Sequence, residues 1–115
     1  MLSRVPKTWL ILPCYNEALR FPVEEVVRFT RGCPAIRVCF VNDGSADQTE
    51  AMLRTTAERI GPRAIVLTLP RNCGKAEAVR RGVLHALAVD DAEFVGYWDA
   101  DLATPLDEVL RFLAA

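Results

Sequence analysis

Short apolar runs alternate along the chain with longer segments in which apolar positions recur every three or four residues. The runs are Thr8 to Pro13 (TWLILP), Ile36 to Val41 (IRVCFV), Ala64 to Leu69 (AIVLTL) and Phe94 to Trp98 (FVGYW). They are rich in β-branched, aromatic and Leu residues and do not alternate with polar ones, the pattern of strands buried on both faces. The first helix is predicted from Pro22, suited to a first helical turn, to Gly32 and Pro34. The second opens at Asp47, with Glu50 completing a capping box, and stops at Gly61-Pro62. The third runs from Lys75 to Ala88, with Val79, Val83 and Leu87 as its buried stripe. The last begins with Thr104 as N-cap and Pro105 at the first helical position. Strand and helix in alternation predict an α/β fold: a mostly parallel sheet of about four strands with helices on both faces.

Parallel strands joined by right-handed crossovers place all their carboxyl ends on one rim, where open sheets bind ligands. The polar and unusual residues fall there. Cys14-Tyr15-Asn16-Glu17 follows the first strand, Asn42-Asp43-Gly44-Ser45 the second, Arg71-Asn72-Cys73-Gly74-Lys75 the third and Asp99-Ala100-Asp101 the fourth. With 115 residues and neither repeat nor linker, the chain is one domain, residues 1–115.

Charge and cysteine content narrow the chemistry. Fourteen Lys and Arg against fifteen Asp and Glu leave a net charge of -1, which argues against a nucleic-acid partner read through a basic face. No uncharged run approaches the ~18 residues of a membrane span. The apolar start is broken by Pro13 and lacks a small-residue cleavage site, so it reads as a strand rather than a signal peptide. The four cysteines form no CxxC pair and no zinc-ligand spacing, which fits reduced thiols and a cytoplasmic location. The single histidine, His85, lies in a helical pattern away from the rim, so a Ser/His/Asp or Cys/His triad has no support.

Asp99 and Asp101 stand two apart after a buried strand. In an extended segment both carboxylates point to one side, giving hard oxygen ligands suited to Mg²⁺ or Mn²⁺ carrying a diphosphate; the plainer alternative is a solvated loop before a helix. Asn42-Asp43-Gly44-Ser45 offers an acidic group where α/β nucleotide folds hold a ribose or base, although by itself it reads first as a turn. Asn72-Cys73-Gly74-Lys75 leads into a helix N-terminus that suits an anion, but it lacks the spaced glycine and the Ser or Thr of a P-loop. Arg80 and Arg81 read best as a solvated helix face.

ILPCYNE, VNDGSADQT, RNCGKAEAVRRG and DADLATP, in this order and each after a predicted strand, resemble the N-terminal half of family 2 glycosyltransferases, closest in look to the dolichyl-phosphate and polyprenyl-phosphate sugar transferases. The resemblance implies a Rossmann-like GT-A fold, truncated relative to the full family domain. It implies that Pro13, Tyr15 and Glu17 line the nucleoside pocket and that Asp43 holds the base. Asn72, Gly74 and Lys75 would flank nucleoside and diphosphate, and Asp99 and Asp101 would be the DxD pair, with Asp101 on the divalent metal. The chain departs from the common DDGS at Asn42, and Ala76 stands where a glycine often follows the GK lysine.

On this reading the chain is the nucleotide-sugar-binding half of a hexosyltransferase-like enzyme. It would use a UDP- or GDP-sugar as donor, Mn²⁺ or Mg²⁺ as cofactor, and a polyprenyl phosphate or another acceptor. The second half of such enzymes supplies the acceptor site, the catalytic base and often membrane helices, so the parent would sit at the cytoplasmic membrane face while this chain binds donor with little turnover. No catalytic residue is assigned. A bare sheet edge after the fourth strand predicts a homo-oligomer. The competing reading is a non-catalytic remnant or oligomeric interaction module of the same fold. A phosphoacceptor receiver domain is set aside, because the ends of the first and third strands lack the required acidic residues.

Overall fold

The computed structural model describes residues 5–89, 92–100 and 106–114. Four strands, β1 (Thr8–Cys14), β2 (Ile36–Asn42), β3 (Ala64–Thr68) and β4 (Phe94–Tyr97), alternate with four helices, α1 (Val23–Gly32), α2 (Thr49–Ile60), α3 (Lys75–Val89) and α4 (Asp107–Ala114). All pairings are parallel and the sheet order is β3-β2-β1-β4. The chain winds outward from β1 to β3, then crosses back to set β4 on the other side of β1. This reversal creates a switch point between the carboxyl ends of β1 and β4, where the flanking connections diverge and leave a crevice.

Two cores sandwich the central strands β1 and β2, which is why these read as unbroken apolar runs; the outer strands correct the expectation, β3 being only partly buried and β4 largely exposed. Even-numbered residues of β1 and β2 (Leu10, Leu12, Val38, Phe40) pack with α1, α2 and α4 through Val26, Leu53 and Val109. The Phe21 ring meets Phe40 edge-on at 5.7 Å. Odd-numbered residues (Trp9, Ile11, Cys39, Val41) pack under α3.

The face α3 turns to the sheet corrects the expected stripe. Ala78, Gly82 and Ala86 are the buried residues, whereas Leu87 is 61% exposed. Small residues let the helix approach: a Cβ on Gly82 would lie 2.5 Å from Ile11 Cγ2. Large apolar residues one position further along cannot occupy a gap this narrow, so Val83 packs only at its margin.

The capping box at α2 does not form. Asp47 Oδ1 accepts instead from the Thr49 N–H at 2.9 Å and from the Thr49 hydroxyl, a local turn that competes with capping, and Glu50 pairs with Arg54. Pro22 stands at the N-cap of α1, one position earlier than expected, its carbonyl accepting from Val26. The proposed start of α4 at Thr104 and Pro105 lies outside the described residues.

Pro13 occupies a central strand without breaking the ladder. Ile11 O accepts from Trp98 N–H on the β4 side and Cys14 O from Asp43 N–H on the β2 side. By alternation, position 13 faces the β4 side, where the β1–β4 register has already ended at Ile11↔Tyr97. The missing proline N–H therefore faces the crevice, and no ladder bond is lost.

Candidate functional site

Pro13, Cys14, Tyr15, Asp43, Asn72, Gly74 and Lys75 line one cleft of about 220 Å³ at the carboxyl ends of β1, β2 and β3. Six of these seven were expected from the sequence; Cys14 was missed, having been grouped with the loop after β1. Larger hollows lie away from the polar rim, one between α1 and α4 and one beneath β4.

Asp43 organises the cleft. It is 3% exposed, and its carboxylate accepts from Cys73 N–H at 2.8 Å, Asn72 Nδ2 at 3.0 Å and Gly74 N–H at 3.1 Å. The Asn72 amide also donates to the Asp43 carbonyl. A buried carboxylate requires such donors, and two successive backbone N–H groups supply them at little conformational cost. Gly44 makes the contact possible: at φ +65° it passes so close to the next loop that a Cβ would lie 2.1 Å from the carbonyl carbon of Arg71.

A second set of bonds joins the β1 and β2 loops. Asn16, at φ 51°, donates from its N–H to Ser45 Oγ and accepts from Ala46 N–H through Oδ1. Asn42 Oδ1 accepts from Ser45 N–H at 3.3 Å, a turn bond that the Asp of the common DDGS could equally make. Thr49 Oγ1 accepts from Glu17 N–H at 2.9 Å. Glu17 is buried, pairs with Arg20 at 2.7 Å and is not among the described residues lining the cleft. Tyr15, by contrast, is 47% exposed on the rim.

Lys75, the first residue of α3, reaches across the crevice. Its Nζ forms an ion pair with Asp99 Oδ1 and lies 5.3 Å from the centre of the Tyr97 ring. Asp99 thereby joins the cleft, while Asp101 lies outside the described residues. Arg80 and Arg81 both bond Glu77 at 2.7 Å, as expected of a solvated helix face, and hold its carboxyl down to about 2. Burial, then the neighbouring Glu17 and Cys39, pushes the Cys14 thiol far above its ordinary range, so it stays protonated at neutral pH.

The donor set bears on a divalent cation. Among the described residues no three His, Cys, Asp or Glu side chains gather to hold a metal. A half-exposed Asp99 beside the cleft fits the mode in which Mg²⁺ or Mn²⁺ is shared between a carboxylate and substrate phosphates. Among the described residues no helix is long and apolar enough to cross a membrane.

A doubly wound parallel sheet with an acid-clasped, lysine-bearing cleft at the carboxyl ends of its strands is an α/β architecture of the GT-A kind. Residues 9–115 match the family Glycosyl transferase family 2, and the chain belongs to that family. It is 31% identical over 117 residues to the undecaprenyl-phosphate 4-deoxy-4-formamido-L-arabinose transferase of Enterobacter sp. (strain 638), covering 98% of this chain and 34% of that protein. The enzyme of the same description from Sodalis glossinidius is 31% identical, over 96% of this chain and 33% of the relative. The chain thus spans about a third of the length of these curated relatives. Among solved structures, it superposes on the mannosyltransferase PcManGT from Pyrobaculum calidifontis in complex with GDP-Man and Mn²⁺ with a TM-score of 0.73 and 25% identity, over 94% of this chain and 31% of that one. S. aureus TarS shares the fold at TM-score 0.64 and 22% identity, over 83% of this chain and 16% of that one.

Proposed function

We propose that residues 1–115 form the donor-binding part of a glycosyltransferase that transfers a sugar from a UDP- or GDP-sugar to a polyprenyl phosphate or another acceptor. The observation that carries the reading is the convergence of Tyr15, Asp43, Asn72, Gly74 and Lys75 in one cleft at the carboxyl ends of the strands, with Asp99 paired to Lys75 beside it. In this reading Pro13 and Tyr15 flank the nucleoside. Asp43 orients the base edge with its remaining acceptor capacity while holding the Asn72–Gly74 backbone, and Glu17 supports the loop from behind. Lys75 meets the diphosphate, and Asp99 with Asp101 holds Mn²⁺ or Mg²⁺. Such a cation, when bound, neutralises charge developing on the leaving diphosphate.

Catalysis of a displacement also needs an aligned acceptor, and a hydroxyl acceptor needs a base. Among the described cleft carboxylates, Asp43 is committed to three N–H donors and Asp99 pairs with Lys75, so neither stands as an unengaged base. The reading therefore gives this chain donor binding and little turnover by itself, with the parent enzyme working at the cytoplasmic face of a membrane. It also includes self-association through β4, which pairs only with β1 among the described strands and leaves Phe94 and Tyr97 half exposed.

The test is the shift in thermal midpoint with UDP, GDP, UDP-glucose and GDP-mannose, each with Mn²⁺ or EDTA. A ligand at about 100 times its Kd adds roughly 2.7 kcal/mol, a large shift in a small domain. A Mn²⁺-dependent shift with one base, lost in Asp101→Ala, is expected; no shift with any donor overturns donor binding. Efficient transfer by the 115-residue chain would overturn the half-enzyme reading, and a clean monomer in light scattering at high concentration the self-association.

A further inference from the structure

We propose that the outer edge of β3 is a docking surface for a second copy of this chain, the two β3 strands pairing antiparallel about a two-fold axis at Val66. In the order β3-β2-β1-β4 this edge is the opposite one from β4, so the inference stands apart from donor binding and from self-association at β4.

The main chain supplies the first observation. Val38 N–H donates to Arg63 O and Leu69 N–H to Asn42 O, so by alternation the odd-numbered residues of β3 bond β2. The N–H and C=O groups of Val66 and Thr68, and the Ala64 carbonyl, therefore point outward, while the Ala64 N–H already donates to Gly61 O at 3.1 Å. Residues 64–67 are apolar yet only partly buried, and among the described strands β3 pairs with β2 alone.

These groups select one register. With Val66 opposite Val66 of the second copy, the two exchange N–H···O bonds, and each Thr68 N–H donates to the Ala64 carbonyl across the axis. No bond in this register calls on the engaged Ala64 N–H. A slip that sets Ala64 opposite the second copy's Val66 would need that N–H and would put Pro62, which has none, opposite Thr68.

Charge selects the same axis. Arg54 and Glu58, one turn apart on α2, line a hollow along this edge with Ala57, Gly61, Ala64 and Val66. Arg54 bonds Glu50 through Nε at 3.1 Å, and Glu58 has no ion-pair partner among the described residues. Because α2 runs antiparallel to β3, an axis at Val66 passes between Arg54 and Glu58 and turns each Arg54 toward the Glu58 of the other copy. Small side chains at Ala57 and Ala64 leave room for the facing helix.

The experiment is sedimentation velocity over a concentration series on the 115-residue chain, Val66→Pro, Arg54→Glu, Glu58→Arg and the double variant with both reversals, with thermal midpoints as the check on folding. Proline at position 66 removes an outward N–H and no bond to β2. Val95→Pro is its counterpart on β4, where the even-numbered residues bond β1. The parent chain is expected to dimerise and Val66→Pro to be monomeric. Each single reversal should raise the dimer Kd at least about tenfold, since symmetry counts every lost pair twice, and the double variant should return to within about threefold of the parent. Val95→Pro should retain the β3 dimer. A parent chain monomeric throughout the series, an unchanged Kd in the single reversals, or a double variant no tighter than the singles would overturn the proposal. Dissociation in Val95→Pro with Val66→Pro still dimeric would overturn it and leave association to β4. If Val66→Pro fails to fold, the charge variants decide alone.

Discussion

The loop carrying Gly44 passes close against the loop of Arg71 and Asn72 at the candidate site, and Gly44→Ala tests what that approach is worth. An alanine Cβ would stand 2.1 Å from Arg71 C, 2.2 Å from Asn72 N and 2.6 Å from Arg71 Cα, all main-chain atoms with no side chain to swing aside. The substitution also forces a non-glycine residue to φ +65°, at a cost of about 1 kcal/mol. Relief of the clash requires the loops to part by roughly 1 Å, which carries the 2.8, 3.0 and 3.1 Å bonds at Asp43 out of hydrogen-bond range. Bonds to a charged acceptor are each worth about 1.5–3 kcal/mol, and water entering the parted loops returns part of that. The net expectation is a loss of about 3–5 kcal/mol, or roughly 12–20 °C in thermal midpoint for a domain of this size.

Gly74→Ala provides the control. Gly74 also has a positive φ, of 94°, but no described atom lies within 4 Å of its missing Cβ, so only backbone strain of about 1 kcal/mol is expected. Combining Gly44→Ala with Asp43→Ala separates clash from lost bonds. If the first change acts by breaking the Asp43 contacts, the double variant loses less than the sum of the two singles by at least about 1 kcal/mol. Thermal midpoints of Gly44→Ala and Gly74→Ala within two or three degrees of each other, or strictly additive losses, would refute the reasoning.

Arg63 Nη1 donates to the carbonyls of Thr30, Cys33 and Ile36 at 2.7, 3.0 and 2.8 Å, closing the end of α1 onto the start of β2. Arg63→Met should lower stability by about 2–3 kcal/mol in urea unfolding at unchanged m-value; a midpoint equal to the parent's would count against that role. Glu77, held at about 2 against an ordinary 4.5 by Arg80 and Arg81, contributes stability that is present above pH 4.5 and lost as pH falls toward 2. The difference in thermal midpoint between the parent chain and Glu77→Gln should accordingly vanish over that window; a pH-independent difference would contradict the assignment. Thiol labelling should find Cys73, the exposed cysteine, fastest. Cys14 and Cys39, buried and pushed upward, the latter to about 12, should react only on unfolding. Loss of the fast phase in Cys73→Ser, and protection by bound nucleotide, are the matching expectations.

Strand positions and the polar rim were legible because both follow from local pattern. TWLILP and IRVCFV lack the alternation of a one-sided sheet, and every loop after a strand carried the unusual residues. The features missed depend on contacts between distant parts of the chain. The buried side of α3 is set by a gap too narrow for anything larger than Ala or Gly over Ile11, 71 positions earlier than Gly82 in the chain. Periodicity alone favoured the neighbouring valines. The Asp47 capping box failed because Thr49, two residues on, captured the carboxylate and then served Glu17 across 32 positions. By itself the sequence around residue 43 reads as a turn before a ligand group, and only the fold brings the three donors of residues 72–74 onto its carboxylate.

That last point separates the rim residues by what they are available to do. Asn16, Asn42, Ser45, Asp47 and Thr49 spend hydrogen bonds on one another, which holds two loops at a fixed distance in a region where no ladder continues. Asp43 and Gly44 extend the same stitching to the third loop. Among the described rim residues, those retaining exposed chemistry include the Tyr15 ring, the Lys75 ammonium and the Asp99 carboxylate, all about half exposed around the crevice. An aromatic face, a cation and an anion on a rigid support are the groups that a base, a diphosphate and a divalent ion each require. On the proposed reading the conspicuous motif residues divide into a scaffold that sets spacing and a set that would meet the ligand, and substitutions in the two sets should separate experimentally. Scaffold changes such as Gly44→Ala lower the melting temperature first, whereas changes at Tyr15, Lys75 or Asp99 should leave it nearly unmoved and alter ligand affinity alone.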